Sequence, residues 1–155
     1  AFGLDPVGDK GFDDPVKVAR LAFDTQMRQL EEALLVEIDN VAVLGDAELT
    51  QRTHAGCGLI LRRLRGFENT PGEQMRMCRM LEKVLTLLSA EIVTLSRAWE
   101  GEGHRFARKR YIAKLDVLVT GFNTLARERG RKAGRDVFDM EADMLLDRMV
   151  QDLAA

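Results

Sequence analysis

Two histidines and two cysteines are present in the chain, and only one pair is close enough to act together. His54 and Cys57 stand three residues apart, a spacing that brings side chains together on one side of a helix. Imidazole and thiolate are both zinc ligands, and Cys78 or His104 would have to complete such a site from a distance. No second close pair exists, so these side chains are expected in the core or on the surface and not as metal ligands. A carboxylate-bridged di-iron bundle needs Glu-x-x-His pairs on facing helices, and the sequence has none. No GxSxG or HExxH motif gathers a nucleophile, a base and an orienting group. Gly101-Glu102-Gly103 follows a helical stretch and not a strand, unlike a phosphate-binding glycine loop. The expectation is a protein that is not an enzyme, with no catalytic, cofactor or metal residue to assign.

His54 is followed four residues later by Gly58, and a glycine one turn away clears space over an imidazole that must receive a phosphoryl group. Over residues 50–63 this resembles the phosphorylation site of histidine phosphotransfer domains, which are also helical bundles. The resemblance implies phosphoryl transfer through His54. Those domains usually carry a lysine just before the glycine, where its charge meets the phosphate; here Cys57 holds that place. The stripe that contains His54 also contains Cys57, Leu61 and Leu64, which predicts a buried imidazole with its hydrogen bonds satisfied.

A basic run is the stronger cue. Arg105, Arg108, Lys109, Arg110, Lys114, Arg127, Arg129, Arg131, Lys132 and Arg135 are opposed between residues 105 and 135 only by Asp116 and Glu128. Such density suits nucleic-acid phosphates or an acidic protein face, and equally a solvated surface or pairing with an acidic helix of the same chain. A helix-turn-helix over residues 115–153 fails on charge, because its reading helix would carry Asp139, Glu141, Asp143, Asp147 and Asp152 against Arg148.

The elements that must position these groups are helices. Residues 1–14 mix Gly3, Gly8, Gly11 and Pro6 with four aspartates and read as a flexible arm, whose Phe2, Leu4 and Phe12 are expected to pack back on the domain. Asp14 is a natural N-cap before Pro15, and Phe23, Met27, Leu30, Leu34, Ile38 and Val41 then recur at steps of three and four. Gly45 ends that helix and Asp46 caps the next, which runs to about Gly66 with a stripe of Ala47, Thr50, His54, Cys57, Leu61 and Leu64. Gly56 and Gly58 each weaken this helix by about 1 kcal/mol relative to alanine unless a neighbour approaches closely there.

After Asn69 or Thr70 as cap, Pro71 opens a third helix. Its Cys78, Leu81, Leu85, Leu88, Ile92, Leu95 and Trp99 form a heptad seam. Met77, Met80, Val84 and Leu87 widen its apolar face, so it is expected to be central and covered by more than one neighbour. A fourth helix carries Tyr111, Leu115, Leu118, Phe122 and Leu125 and ends at Gly130. A fifth, from about Asp136, carries Phe138, Ala142, Leu145, Met149 and Leu153. No stretch alternates with period two. The expected fold is all-α, an antiparallel up-and-down bundle of four to five helices over residues 15–155.

The apolar set is 46% of the chain and the charged set 31%, an ordinary globular balance that argues against wholesale disorder. The net charge of −2 hides a split: residues 1–50 carry 4 basic and 11 acidic side chains, residues 51–115 carry 13 and 6. No apolar run is long enough to span a bilayer, no secretory signal opens the chain, and the two cysteines suggest reduced thiols, so no membrane and a cytoplasmic setting are expected. The methionines cluster as Met75, Met77, Met80 and as Met140, Met144, Met149, which suits irregular cores and adaptable interfaces. These features favour a regulatory adaptor acting through helix-mediated protein contact. It is expected to be a homo-oligomer, a dimer meeting at a methionine-rich face that includes Met144. Nucleic-acid binding through the basic run is the alternative, and phosphotransfer at His54 the third.

Overall fold

The computed structural model describes residues 14–66 and 71–131, together with Met144, Arg148 and Gln151. The arm before Asp14, the Asn69/Thr70 cap, Lys132, Arg135 and most of the expected fifth helix lie outside the described residues, although Met144, Arg148 and Gln151 are helical. Four helices account for nearly everything else: α1 (Pro15–Ala42), α2 (Ala47–Arg65), α3 (Pro71–Ala98) and α4 (His104–Arg131). No strand occurs among the described residues.

Local chemistry explains where the helices start and stop. The Asp14 carboxylate accepts from Val16 N at 3.1 Å and Lys17 N at 3.4 Å, satisfying donors that the first turn leaves orphaned. The α1 chain reverses at Gly45, whose φ of +82° is open to glycine at little cost. Asp46 then accepts from Leu49 N at 3.0 Å and starts α2. Helix α4 passes through Gly130 and reaches Arg131, one residue beyond the expected stop.

The stripes of α1, α3 and α4 are those that the spacing predicts. Phe23, Met27, Leu34, Ile38 and Val41 are buried on α1. On α3, Cys78, Leu81, Leu88, Ile92 and Leu95 are buried, with Leu85 and Trp99 packed against the core. Met77, Met80 and Val84 are buried beside them, and α3 packs on both α1 and α4. Tyr111, Leu115, Leu118, Phe122 and Leu125 are buried on α4.

Helix α2 departs from expectation. Its buried side is Leu49, Thr53, Gly56, Cys57, Ile60 and Leu64, and His54 and Ala47 are exposed. The helix is turned about its axis relative to the expected stripe because two small or polar residues do core work. The Thr53 hydroxyl donates to Leu49 O at 2.9 Å and meets the Tyr111 hydroxyl at 2.7 Å, so it is buried with its bonds made. Gly56 admits α4: a β-carbon there would lie 3.2 Å from Leu115 Cδ1 and 3.3 Å from Val119 Cγ2. Nothing approaches Gly58 in this way.

The arrangement also differs from a bundle in which every neighbour is antiparallel. Within each hairpin, α1 and α2, then α3 and α4, run in opposite directions, as Glu91–Arg110 at 2.8 Å and Glu31–Arg65 indicate. The two hairpins lie side by side with their turns at the same end. Gln26 donates to Glu82 at 3.0 Å and Trp99 Nε1 donates to Leu44 O at 3.0 Å, so α1 and α3 keep one sequence offset along their length and are parallel. Asp46–Arg108, Thr53–Tyr111 and Arg63–Asn123 do the same for α2 and α4. Helices α2 and α3, consecutive in the chain, do not pack along one another.

Leu88 sits at the centre of the α3 seam with 2% of its surface exposed. Truncation to alanine should cost about 2–5 kcal/mol, read from denaturant melts. If Leu88→Ala instead leaves stability unchanged and only dissociates an oligomer in light scattering, the seam is intermolecular and not the core of one subunit.

Candidate functional site

His54 stands on the solvent side of α2, in the middle of the helix. Its imidazole borders a shallow, open groove of about 720 Å³ whose other walls include Ala42, Asp46, Thr50 and Gln51. This overturns the expectation of a buried histidine. The turn of α2 that buries Leu49 and Ile60 carries position 54 outward, and the open space over Gly58 lies one helical turn away. Cys57 faces the other way: it is 2% exposed, and burial pushes its thiol up to about 12. His54 and Cys57 therefore do not converge on a common ligand. Cys57 also cannot replace the phosphate-facing lysine, because it is buried and uncharged. Among the described residues, no three His, Cys, Asp or Glu side chains gather as a metal site would require.

The basic run is divided by the fold. Arg108 lies between the turns: its Nε donates to Asp46 Oδ2 at 2.7 Å and its terminal nitrogen reaches Glu48 at 3.2 Å. The Arg108 guanidinium, followed by the Leu49 backbone N–H, holds the Asp46 carboxyl below its ordinary value. Arg110 is bound to Glu91 across the α3–α4 contact, where the Glu91 side chain is 14% exposed. Lys114 is half-buried and Arg105 and Lys109 are exposed on α4. Arg127 is exposed near the far end of the same helix, its terminal nitrogen 3.4 Å from Thr124 Oγ1. Arg129 and Arg131 continue α4, but their side chains are outside the described residues, as are Lys132 and Arg135 altogether. The ten positions thus do not form one described patch, since two of the strongest members tie the bundle together.

Two features were not singled out from the sequence. The first is the outer face of α1, away from the stripe that meets α2 and α3. Val18, Leu21, Leu35 and Val36 are exposed there, Leu21 by 59% and Leu35 by 55%. Their spacing was overshadowed by the stronger inward stripe and by Arg28, Glu32 and Asp39 interleaved with them. The second is the end of the bundle where Arg63 of α2 bonds Asn123 of α4. Only the parallel alignment of two helices some sixty residues apart in the chain brings these together.

The methionines also divide. Met27, Met77 and Met80 are core residues, whereas Met75 and Met144 are exposed, Met144 by 62%. No described helix is long and apolar enough to cross a membrane. Comparison with family models, with curated proteins and with solved structures finds no match.

The Asp46–Arg108 pair yields a pH test. Because the folded carboxyl sits below its ordinary value of 3.8, the pair's contribution is complete above that value and fades as pH falls through the lowered one. Asp46→Asn keeps a capping acceptor and should cost less than about 1 kcal/mol at neutral pH, given a pair still reached by solvent. Asp46→Ala also loses the cap, a further cost of about 1 kcal/mol. Urea melts should show the wild-type advantage over Asp46→Asn disappearing in acid; no such advantage at neutral pH, with Asp46→Ala still destabilised, would assign Asp46 to capping alone.

Proposed function

We propose that the chain is a non-enzymatic adaptor or regulatory protein that acts by helix-mediated contact with other proteins, including a second copy of itself. The observation that carries this reading is the outer face of α1, where Val18, Leu21, Leu35 and Val36 stand in water on a helix whose opposite side is fully used by the core. Apolar side chains exposed singly are ordinary, but two pairs on one face of α1, Val18 with Leu21 and Leu35 with Val36, supply apolar anchors for a partner helix, with Arg28 and Glu32 between them as polar contacts. Exposed Met75 and Met144 add adaptable apolar surface of the sort proposed for a dimer contact. The proposal includes a cytoplasmic setting, in which thiols such as Cys57 and Cys78 stay reduced.

Nucleic-acid binding through residues 105–135 is a weaker reading. Arg108 and Arg110 are neutralised by Asp46, Glu48 and Glu91, which leaves Arg105, Lys109 and Arg127 as its exposed described cations.

Exposure of His54 favours a second reading, phosphoryl transfer. An imidazole in the middle of a bundle helix, reachable from solvent with open space over Gly58, can accept a phosphoryl group from a donor protein docked on α2. The missing lysine is the main departure, since no cation replaces it at position 57.

Two measurements separate these ideas. Sedimentation of Leu21→Glu/Leu35→Glu should show loss of self-association with the helical signal intact, because both side chains are more than half exposed. A wild type that is monomeric at every concentration, or a variant that associates as before, would remove the α1 face from the account. Incubation with a phosphorylated histidine-kinase and receiver pair should label the wild type and not His54→Ala if phosphotransfer is real, and no label on either would end that reading.

A further inference from the structure

Cross-helix arginines in this protein generally meet carboxylates: Arg65 meets Glu31, Arg108 meets Asp46 and Glu48, and Arg110 meets Glu91. Arg63 and Arg127 do not. They border a groove of about 400 Å³ between the parallel helices α2 and α4, with Leu59, Asn123 and Ala126 as its remaining walls. Arg63 Nε donates to Asn123 Oδ1 at 2.9 Å, which orients the guanidinium and leaves its two terminal nitrogens without an acceptor among the described residues. Arg127 makes only the 3.4 Å approach to Thr124 within its own helix. No carboxylate of the described residues lies within ion-pair distance of either.

The groove therefore presents hydrogen-bond donors around a partly apolar wall. A guanidinium has five N–H donors and no acceptor, and the Asn123 amide, with its oxygen turned to Arg63, adds its two N–H donors. Such a site seeks an anion whose oxygens can take paired N–H bonds. Leu59 and Ala126 add a requirement that a bare phosphate does not meet, a small apolar group beside the charge. Polyanion binding is disfavoured on a further count: the chain as a whole carries a net charge of −2, so its overall field does not attract a long phosphodiester strand.

We propose that the α2/α4 groove is a docking site for an acidic segment of a partner protein, with aspartate or glutamate carboxylates on Arg63 and Arg127 and an adjoining aliphatic side chain against Leu59 and Ala126. The proposal rests on reading the chain as an interaction module, but uses a different surface from the α1 face. Helices α1 and α4 do not pack on one another, so one chain can use both surfaces.

The test uses the full chain and a short fluorescein-labelled peptide in which leucines alternate with pairs of glutamates, followed by fluorescence anisotropy. The wild type should bind it, binding should weaken as salt is raised, and the matched glutamine peptide should not bind. Arg63→Gln/Arg127→Gln should lose about tenfold or more in affinity, the combined loss of two solvent-reached ion pairs. The Arg105→Gln/Lys109→Gln control, at the other end of α4, should bind as the wild type does. A matching circular-dichroism melt verifies that the groove variant is folded; if it is not, Arg63→Lys/Arg127→Lys replaces it and should bind more weakly than wild type. No binding at low salt, equal loss in the Arg105/Lys109 control, or tighter binding of a single-stranded oligonucleotide through the same arginines would overturn the proposal. The Leu21→Glu/Leu35→Glu variant keeps the two readings distinct: peptide binding that survives in it, with self-association absent even in the wild type, refutes the α1 contact and leaves the groove.

Discussion

The structure depends on how the two helical hairpins are held with their turns at one end. Two contacts do this. The Trp99 indole donates across the hairpins to the Leu44 carbonyl just before Gly45 reverses the chain, and the Arg108 guanidinium reaches the Asp46 carboxylate that caps α2. His104 stacks on Trp99 at 4.0 Å and bonds its carbonyl at 2.8 Å, so the second turn is braced against the residue that grips the first. Once the turns are joined, α1 must lie beside α3 and α2 beside α4. The deeper contacts then follow in register: Thr53 against Tyr111, Gly56 under Leu115 and Val119, and Arg63 against Asn123.

This register assigns the charged side chains their work. An arginine near a turn finds a carboxylate there, and Arg108 and Arg110 become structural. Further along α4 no carboxylate of α2 waits opposite, and Arg127 faces Arg63 across a groove. Similar residues in one basic run thus serve as internal ties or as open surface according to what the parallel neighbour offers.

Much of the fold was legible in the sequence. The inward stripes of α1 and α3 are long and strongly periodic, the caps at Asp14 and Asp46 use residue types with a direct hydrogen-bonding reason, and Gly45 marks a reversal that requires positive φ. Helix α2 was misread because it is short and mixed. Two overlapping stripes fit it almost equally well, and the choice turns on Thr53 and Gly56, neither of which looks like a core residue until Tyr111 and Leu115 are placed against them. That rotation moved His54 from the core to the surface. The side-by-side pairing of hairpins was not legible either, since short connections usually make sequential helices neighbours and nothing local in residues 62–71 signals otherwise. The groove between Arg63 and Arg127 inherits that invisibility.

Unique aromatic reporters make the arrangement directly observable, because the chain has one tryptophan and one tyrosine. A nuclear Overhauser spectrum of the full chain should show the Tyr111 ring close to the Thr53 methyl group and the Trp99 indole proton close to the α-proton of Leu44. Both cross-peaks together are what side-by-side hairpins require. Their absence, with Tyr111 and Trp99 contacting other helices instead, would contradict the parallel pairing of α1 with α3 and of α2 with α4.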